Sequence, residues 1–211
     1  MNLPFSHDAF LDVFAAYNTA LWPAEMVLWL ATAAVAVGWF ASRRIGARAA
    51  FALLAVHWAW SGIAYHWVYF RTINRAAILF GMLFVAQAVL FVWVAIEQSG
   101  NPTATVSGVR RILGGTFLAY GLVYPLVGLA FDLRYPRMPV FAVPCPTTLV
   151  TAGLVIASNG IPRVVNFIPI LWAGIGSSAA FALGIRADLA LVAAGAALLL
   201  DTVAPGVFGN S

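Results

Sequence analysis

Apolar residues run along this chain in long blocks separated by short polar breaks, and no stretch alternates polar and apolar residues as a strand would. A membrane-spanning helix needs about 20 apolar residues, and a spanning barrel needs the alternation that is missing. Seven blocks are expected to be helices: 22–41, 49–70, 76–96, 112–131, 146–158, 164–183 and 189–203. Ahead of them, 1–21 is read as an interfacial N-terminal segment. It carries Phe10, Phe14, Tyr17 and Leu21 near helical spacing. The expected fold is all-α: one domain, 1–211, forming a polytopic transmembrane helix bundle of about seven spans with a short broken fifth helix.

Breakers fall between the blocks. Ser99 to Ser107 reads as a polar loop around Asn101 and Pro102, and Asn159, Gly160 and Pro162 as a tight connection. The stretch 132–146 holds four prolines and two arginines and reads as irregular chain. Pro125 is expected to kink the fourth helix. The fifth block is too short to span alone, so the proline-rich chain before it is expected to dip into the membrane. Irregular backbone at that depth must pack in protein or line a cavity.

Composition sharpens this picture. The chain is 63% hydrophobic and 9% charged, against about 25% charged in a soluble domain. All 11 cationic side chains are Arg, so no lysine Schiff base can form. The net charge of +4 is scattered between apolar blocks and reads as topological, with no nucleic-acid footprint. Residues 1–20 lack a basic start, so no cleavable signal is expected. The loop with Arg43, Arg44 and Arg48 is expected to be cytoplasmic and the N-terminus outside, with six arginines inside and five outside. The expected location is a bacterial inner membrane.

Polar groups inside an apolar span are costly and hence functional candidates. The alternating topology gathers Cys145, Thr147, Thr148, His66, Tyr65, Glu25, Asn18, Asn74 and Arg134 into one layer at the outer face. Pro146 suits the first position of the fifth helix, which sets Cys145 beside an electropositive helix end able to activate a thiol or hold an anion. The bland alternative for Cys145 is a buried packing residue, and for His66 an interfacial aromatic belt. His57 and His66 point to opposite sides of their helix, so they do not share a metal unless the helix breaks at Gly62, and a haem role is poorly served. His57 reads as a core histidine bonded to a carbonyl or hydroxyl. Gln87 and Asn166 read as ties between helices, Asp201 as a residue at a frayed helix end, and the small residues near Gly174 and Gly195 as close-packing or homo-oligomer faces. Cys145 is the lone cysteine, which excludes an intrachain disulfide and a dithiol couple. No metal site is expected, and no cofactor is indicated.

Several fragments resemble a family. Phe14-Ala-Ala-Tyr-Asn-Thr-Ala-Leu-Trp-Pro, Trp58-Ala-Trp-Ser-Gly-Ile-Ala-Tyr-His-Trp, Ile73-Asn74, Arg134-Tyr-Pro and Val143-Pro-Cys-Pro-Thr-Thr are similar to the bacterial multi-pass proteins grouped as domain of unknown function 6064. The resemblance implies a multi-pass inner-membrane protein and brings no activity.

Three functions fit the residues. The first is transport or binding of a small solute or ion, with Cys145 contacting an anion or soft metal and Glu25 and His66 supplying charge or a proton switch. The second is a non-catalytic assembly or accessory protein. The third is an intramembrane enzyme with Cys145 as nucleophile and His66 as base, which requires the two within hydrogen-bond reach.

Overall fold

Every regular element is a helix among the described residues of the computed structural model, which are 4–42, 46–97, 106–204 and 206–209. The order is α1 His7–Leu21, α2 Ala24–Val37, α3 Ala47–Trp60, α4 Ala77–Glu97, α5 Gly108–Ala130, α6 Pro144–Ile156, α7 Phe167–Leu183 and α8 Ala190–Val203. A π-helix, Gly38–Ser42, prolongs α2, and a longer one, Ser61–Tyr69, prolongs α3. Turns of 3-10 helix, Arg163–Asn166 and Arg186–Leu189, lead into α7 and α8. Most of the expected polar loop at Ser99 to Ser107 lies outside the described residues, as do Arg43 and Arg44.

Local chemistry explains several ends. The Ser6 hydroxyl accepts from the Ala9 N–H at 3.1 Å and caps α1. Gly184, at φ 69°, closes α7 in the left-handed region that suits glycine. Pro169 sits in the first turn of α7, where no intrahelical N–H is lost. The helix α5 continues through Pro125 to Ala130. At Trp22 and Pro23 the chain turns by 86° between α1 and α2.

By length and composition, three helices among the described residues suffice to cross a membrane: Ala77–Glu97, Gly108–Ala130 and Arg163–Leu183. A fourth is added if the bent α1–α2 pair is counted as one span.

Hydrogen bonds sort the helix ends into two layers. At one end, Arg110 pairs with Asp201 at 2.6 Å, Asn166 donates to Thr202 at 3.0 Å, and Ser107 donates to the Phe208 carbonyl at 2.7 Å. At the other, His7 meets the Leu183 carbonyl at 2.8 Å, and Arg137 pairs with Asp8 at 3.2 Å and Asp12 at 2.9 Å. So α1 lies across the second end, held there by the chain between α5 and α6. Asp201, read above as a residue at a frayed helix end, is instead half of a largely buried ion pair. Gln87 and Asn166 do tie helices: Gln87 donates to the Val165 carbonyl at 2.9 Å.

The core is centred on α6, of which every residue from 146 to 156 is buried. Its backbone nearly touches that of α5, since a Cβ on Gly153 would lie 2.7 Å from the Leu118 nitrogen. Hydroxyls fix its other side, with Trp58 donating to Thr151 at 2.8 Å. The outer faces of the surrounding helices are apolar, with Val89, Ile96, Ile112, Leu126, Phe181 and Val203 all exposed.

Candidate functional site

The π-helical stretch after α3 widens the turn and delivers two consecutive buried residues, Tyr65 and His66, to the same end of the bundle as the start of α6. Such stretches recur at functional sites because the widened turn re-aims side chains. Phe14 of α1 stacks on Tyr65 at 5.5 Å between ring centroids, and Tyr17 meets the same ring edge-on at 5.8 Å. Beneath α1 this leaves a cavity of about 140 Å³. Aromatic rings from α1, α4 and α7 line much of it, including Phe10, Phe80 and Trp172, and its polar groups include Asn74, Cys145 and Asp188.

Helix α6 starts two residues earlier than the sequence suggests, at Pro144, so Cys145 lies in the first turn and not at the cap. The thiol is half-buried and free. Its charged neighbour is the Asp188 carboxylate, with Trp172 beside it. Tyr124 of α5 donates to that carboxylate. Asp188 is in the turn between α7 and α8, where burial pushes its carboxyl up to about 6 even though hydrogen bonds from Tyr124 and Cys145 work in the opposite direction. The positive end of α6 therefore already faces a carboxylate of the protein's own, which disfavours an anionic guest.

His66 is fully buried in a box of rings. Phe84 lies 4.8 Å away, Trp172 5.1 Å and Phe80 5.8 Å, centroid to centroid. Neither ring nitrogen has a hydrogen-bond partner among the described residues. The imidazole thus makes no bond to the Cys145 thiol, and the nucleophile–base pair that the enzyme reading requires is not formed. His57 is elsewhere: its Nε2 lies 2.8 Å from the Thr32 hydroxyl, which itself donates to the Leu28 carbonyl at 2.9 Å. The hydroxyl hydrogen being used, His57 is the donor to Thr32.

The remaining candidates separate. Asn18 donates to the carbonyls of Pro136 at 2.7 Å and Met138 at 2.8 Å, clamping the chain ahead of α6 onto α1. Thr147 lies 3.3 Å from Ser61, which donates to the Ala142 carbonyl at 2.8 Å. Thr148 bonds back to the Pro144 carbonyl at 2.9 Å. Asn74 caps the turn before α4 by accepting from the Ala76 N–H at 3.0 Å. Arg134 is exposed and paired with Asp132 at 3.7 Å. Glu25 lines a different cavity, between α2 and α5. Cys145, Tyr65 and Asn74 therefore share one cavity, His66 stands behind its wall, and Arg134 and Glu25 stand apart.

Sequence reasoning missed Asp188, Tyr124 and Trp172. Asp188 did carry a signal, as a lone carboxylate directly before the last apolar block. Among the described residues, no group of three or more His, Cys, Asp or Glu side chains is placed to hold a metal ion.

A family model described as a family of unknown function, DUF6064, matches residues 7–204, and the chain belongs to that family. No curated protein and no solved structure matches it.

Proposed function

Starting from membership of that family, we propose that this is a multi-pass protein of a bacterial inner membrane. It binds and carries a small solute at the cavity under α1. The bilayer setting is supported by the apolar residues exposed on the outer faces of α2, α4, α5, α7 and α8. In this reading α2 to α8 make seven alternating passes with the N-terminus outside. The 13 residues of α6 cover roughly 20 Å, and the irregular chain before them re-enters the membrane, packed against α1.

One observation carries the functional part. The cavity joins a buried carboxylate, Asp188, and a thiol, Cys145, to a wall of aromatic rings. Carboxylate and ring faces both attract positive charge, so the favoured solute is small and carries a cationic or hydrogen-donating group. The test is alkylation of Cys145 by a small maleimide in reconstituted liposomes. Methylammonium or guanidinium is expected to slow the reaction in the wild type but not in Asp188→Asn, while acetate and phosphate leave both unchanged. Equal rates with every solute would end this reading.

A second reading, homo-oligomer assembly, is favoured by a groove between α7 and α8. It is lined by Gly174, Ser177 and Gly195, and the buried Ser177 hydroxyl has no partner among the described residues. A second copy packing there would be trapped as a disulfide dimer by Gly174→Cys in a Cys145→Ser background. A monomer under oxidising conditions would exclude it.

A further inference from the structure

The 86° turn after α1 sets Glu25 in the first turn of α2, with 4% of the residue exposed. The N-cap residue, Pro23, makes no side-chain cap bond at this helix start. Oε1 has no hydrogen-bond partner, and no cation lies within ion-pair distance among the described residues. A buried carboxylate without partners is costly, and the partial positive charge of the helix end offsets only part of that cost.

Glu25 opens onto a cavity of about 470 Å³ between α2, α5 and the chain before α6. The walls are aromatic and aliphatic, with Trp22, Trp29, Tyr135, Phe141 and Leu126 among them. The Trp29 indole N–H is already used by the Leu122 carbonyl at 2.9 Å, so this ring presents mainly apolar surface. Trp22 and Leu126 are more than half exposed on the outer surface of the bundle, so the cavity opens sideways. It is more than three times the size of the Cys145 cavity and shares no lining residue with it.

We propose that the Glu25 cavity is a second, separate binding site, for an amphiphilic organic cation: an aromatic or branched apolar body bearing one ammonium- or phosphonium-type charge. The body fills the space between α2 and α5, and its charge meets the Glu25 carboxylate. The rings of Trp22, Trp29 and Tyr135 add attraction for a cation that a neutral apolar guest does not receive. The sideways opening makes the hydrocarbon layer the route of entry, and only that detail rests on the bilayer reading. Selection by charge does not.

The experiment is equilibrium binding of tetraphenylphosphonium to the purified full-length protein in lipid nanodiscs, with tetraphenylborate as an anion of the same shape. The cation is expected to bind and the anion not. Glu25→Gln, which keeps shape and removes charge, is expected to weaken cation binding at least roughly tenfold. Val123→Trp fills the outer wall of the cavity and leaves the carboxylate, and is expected to remove binding altogether; it decides the matter should Glu25→Gln fail to fold. Equal binding of cation and anion, or binding indifferent to either substitution, overturns the proposal. Failure of methylammonium to protect Cys145 would leave this result untouched, since the two sites share no lining residue.

Discussion

Tyr124 gives its phenolic hydrogen to the Asp188 carboxylate, and this one bond ties the last turns of α5 to the turn from which α8 starts. It also aims the carboxylate at Cys145 across the cavity wall. A buried carboxyl group supported in this way is a structural joint, and in the proposed function a binding group as well.

Burial raises the Asp188 carboxyl to about 6. The folded protein therefore holds this proton more tightly than the unfolded chain, whose aspartates titrate near pH ~4. The contribution to stability is fully present below that lower value and is lost as pH rises through about 6. Melting curves of wild type and Asp188→Asn in detergent should converge or cross over that window, the wild type losing ground by up to roughly 2–3 kcal/mol. A difference between the two that stays flat with pH would show that Asp188 does not titrate there.

Gly153→Ala should destabilise the bundle. Its new methyl group would sit 2.7 Å from the Leu118 nitrogen and 2.8 Å from the Gly114 carbonyl, both backbone atoms on α5. Two backbones cannot yield as a flexible side chain does, so a loss of about 1–3 kcal/mol is expected. Gly174→Ala is the control, because a Cβ there meets nothing within 4 Å. Similar melting points for the two variants would contradict the close approach of α5 and α6.

The Arg110–Asp201 pair lies at 2.6 Å with side-chain exposures of 11% and 13%. Asp201→Ala strands a buried guanidinium whose remaining bond among the described residues is to the Ser158 carbonyl at 3.0 Å, and should cost about 3–5 kcal/mol. Replacing both partners by apolar residues should recover much of that loss. A double variant as unstable as Asp201→Ala would show that the single-variant loss comes from packing and not from a stranded charge.

His66→Phe should be neutral or stabilising, by up to roughly 2 kcal/mol, because both buried ring nitrogens lack partners while the surrounding rings would accept another. Thermal unfolding is the measurement. A marked loss of stability would mean that an imidazole nitrogen has a partner in solution.

The all-α class was legible in the chain, because block length depends only on residue order. Which helices touch does not. Asp188 and Tyr124 are 64 positions apart, and nothing in either neighbourhood announces the other. The same limit grouped what the fold separates: Glu25 and Cys145, expected in one layer, line different cavities, because residue order carries no azimuth around the bundle. The early start of α6 at Pro144 was missed because Pro146 suits a first helical position equally well, and nothing local in the chain prefers Pro144. Asp201 looked like a solvated end because its partner, Arg110, lies 91 residues earlier.

Helix α6 has no outward face between residues 146 and 156. In a bilayer, a segment enters hydrocarbon by the affinity of its own surface for lipid, and this one has no such surface in the finished molecule. Its two prolines and three threonines make it a poor candidate for insertion by itself. Its burial is supplied by α3, α5, α7 and α8, two of which are synthesised after it. In the bilayer setting proposed above, α6 would stay unsheltered until α7 and α8 close over it, so the carboxyl-terminal hairpin completes the burial of the molecule's centre.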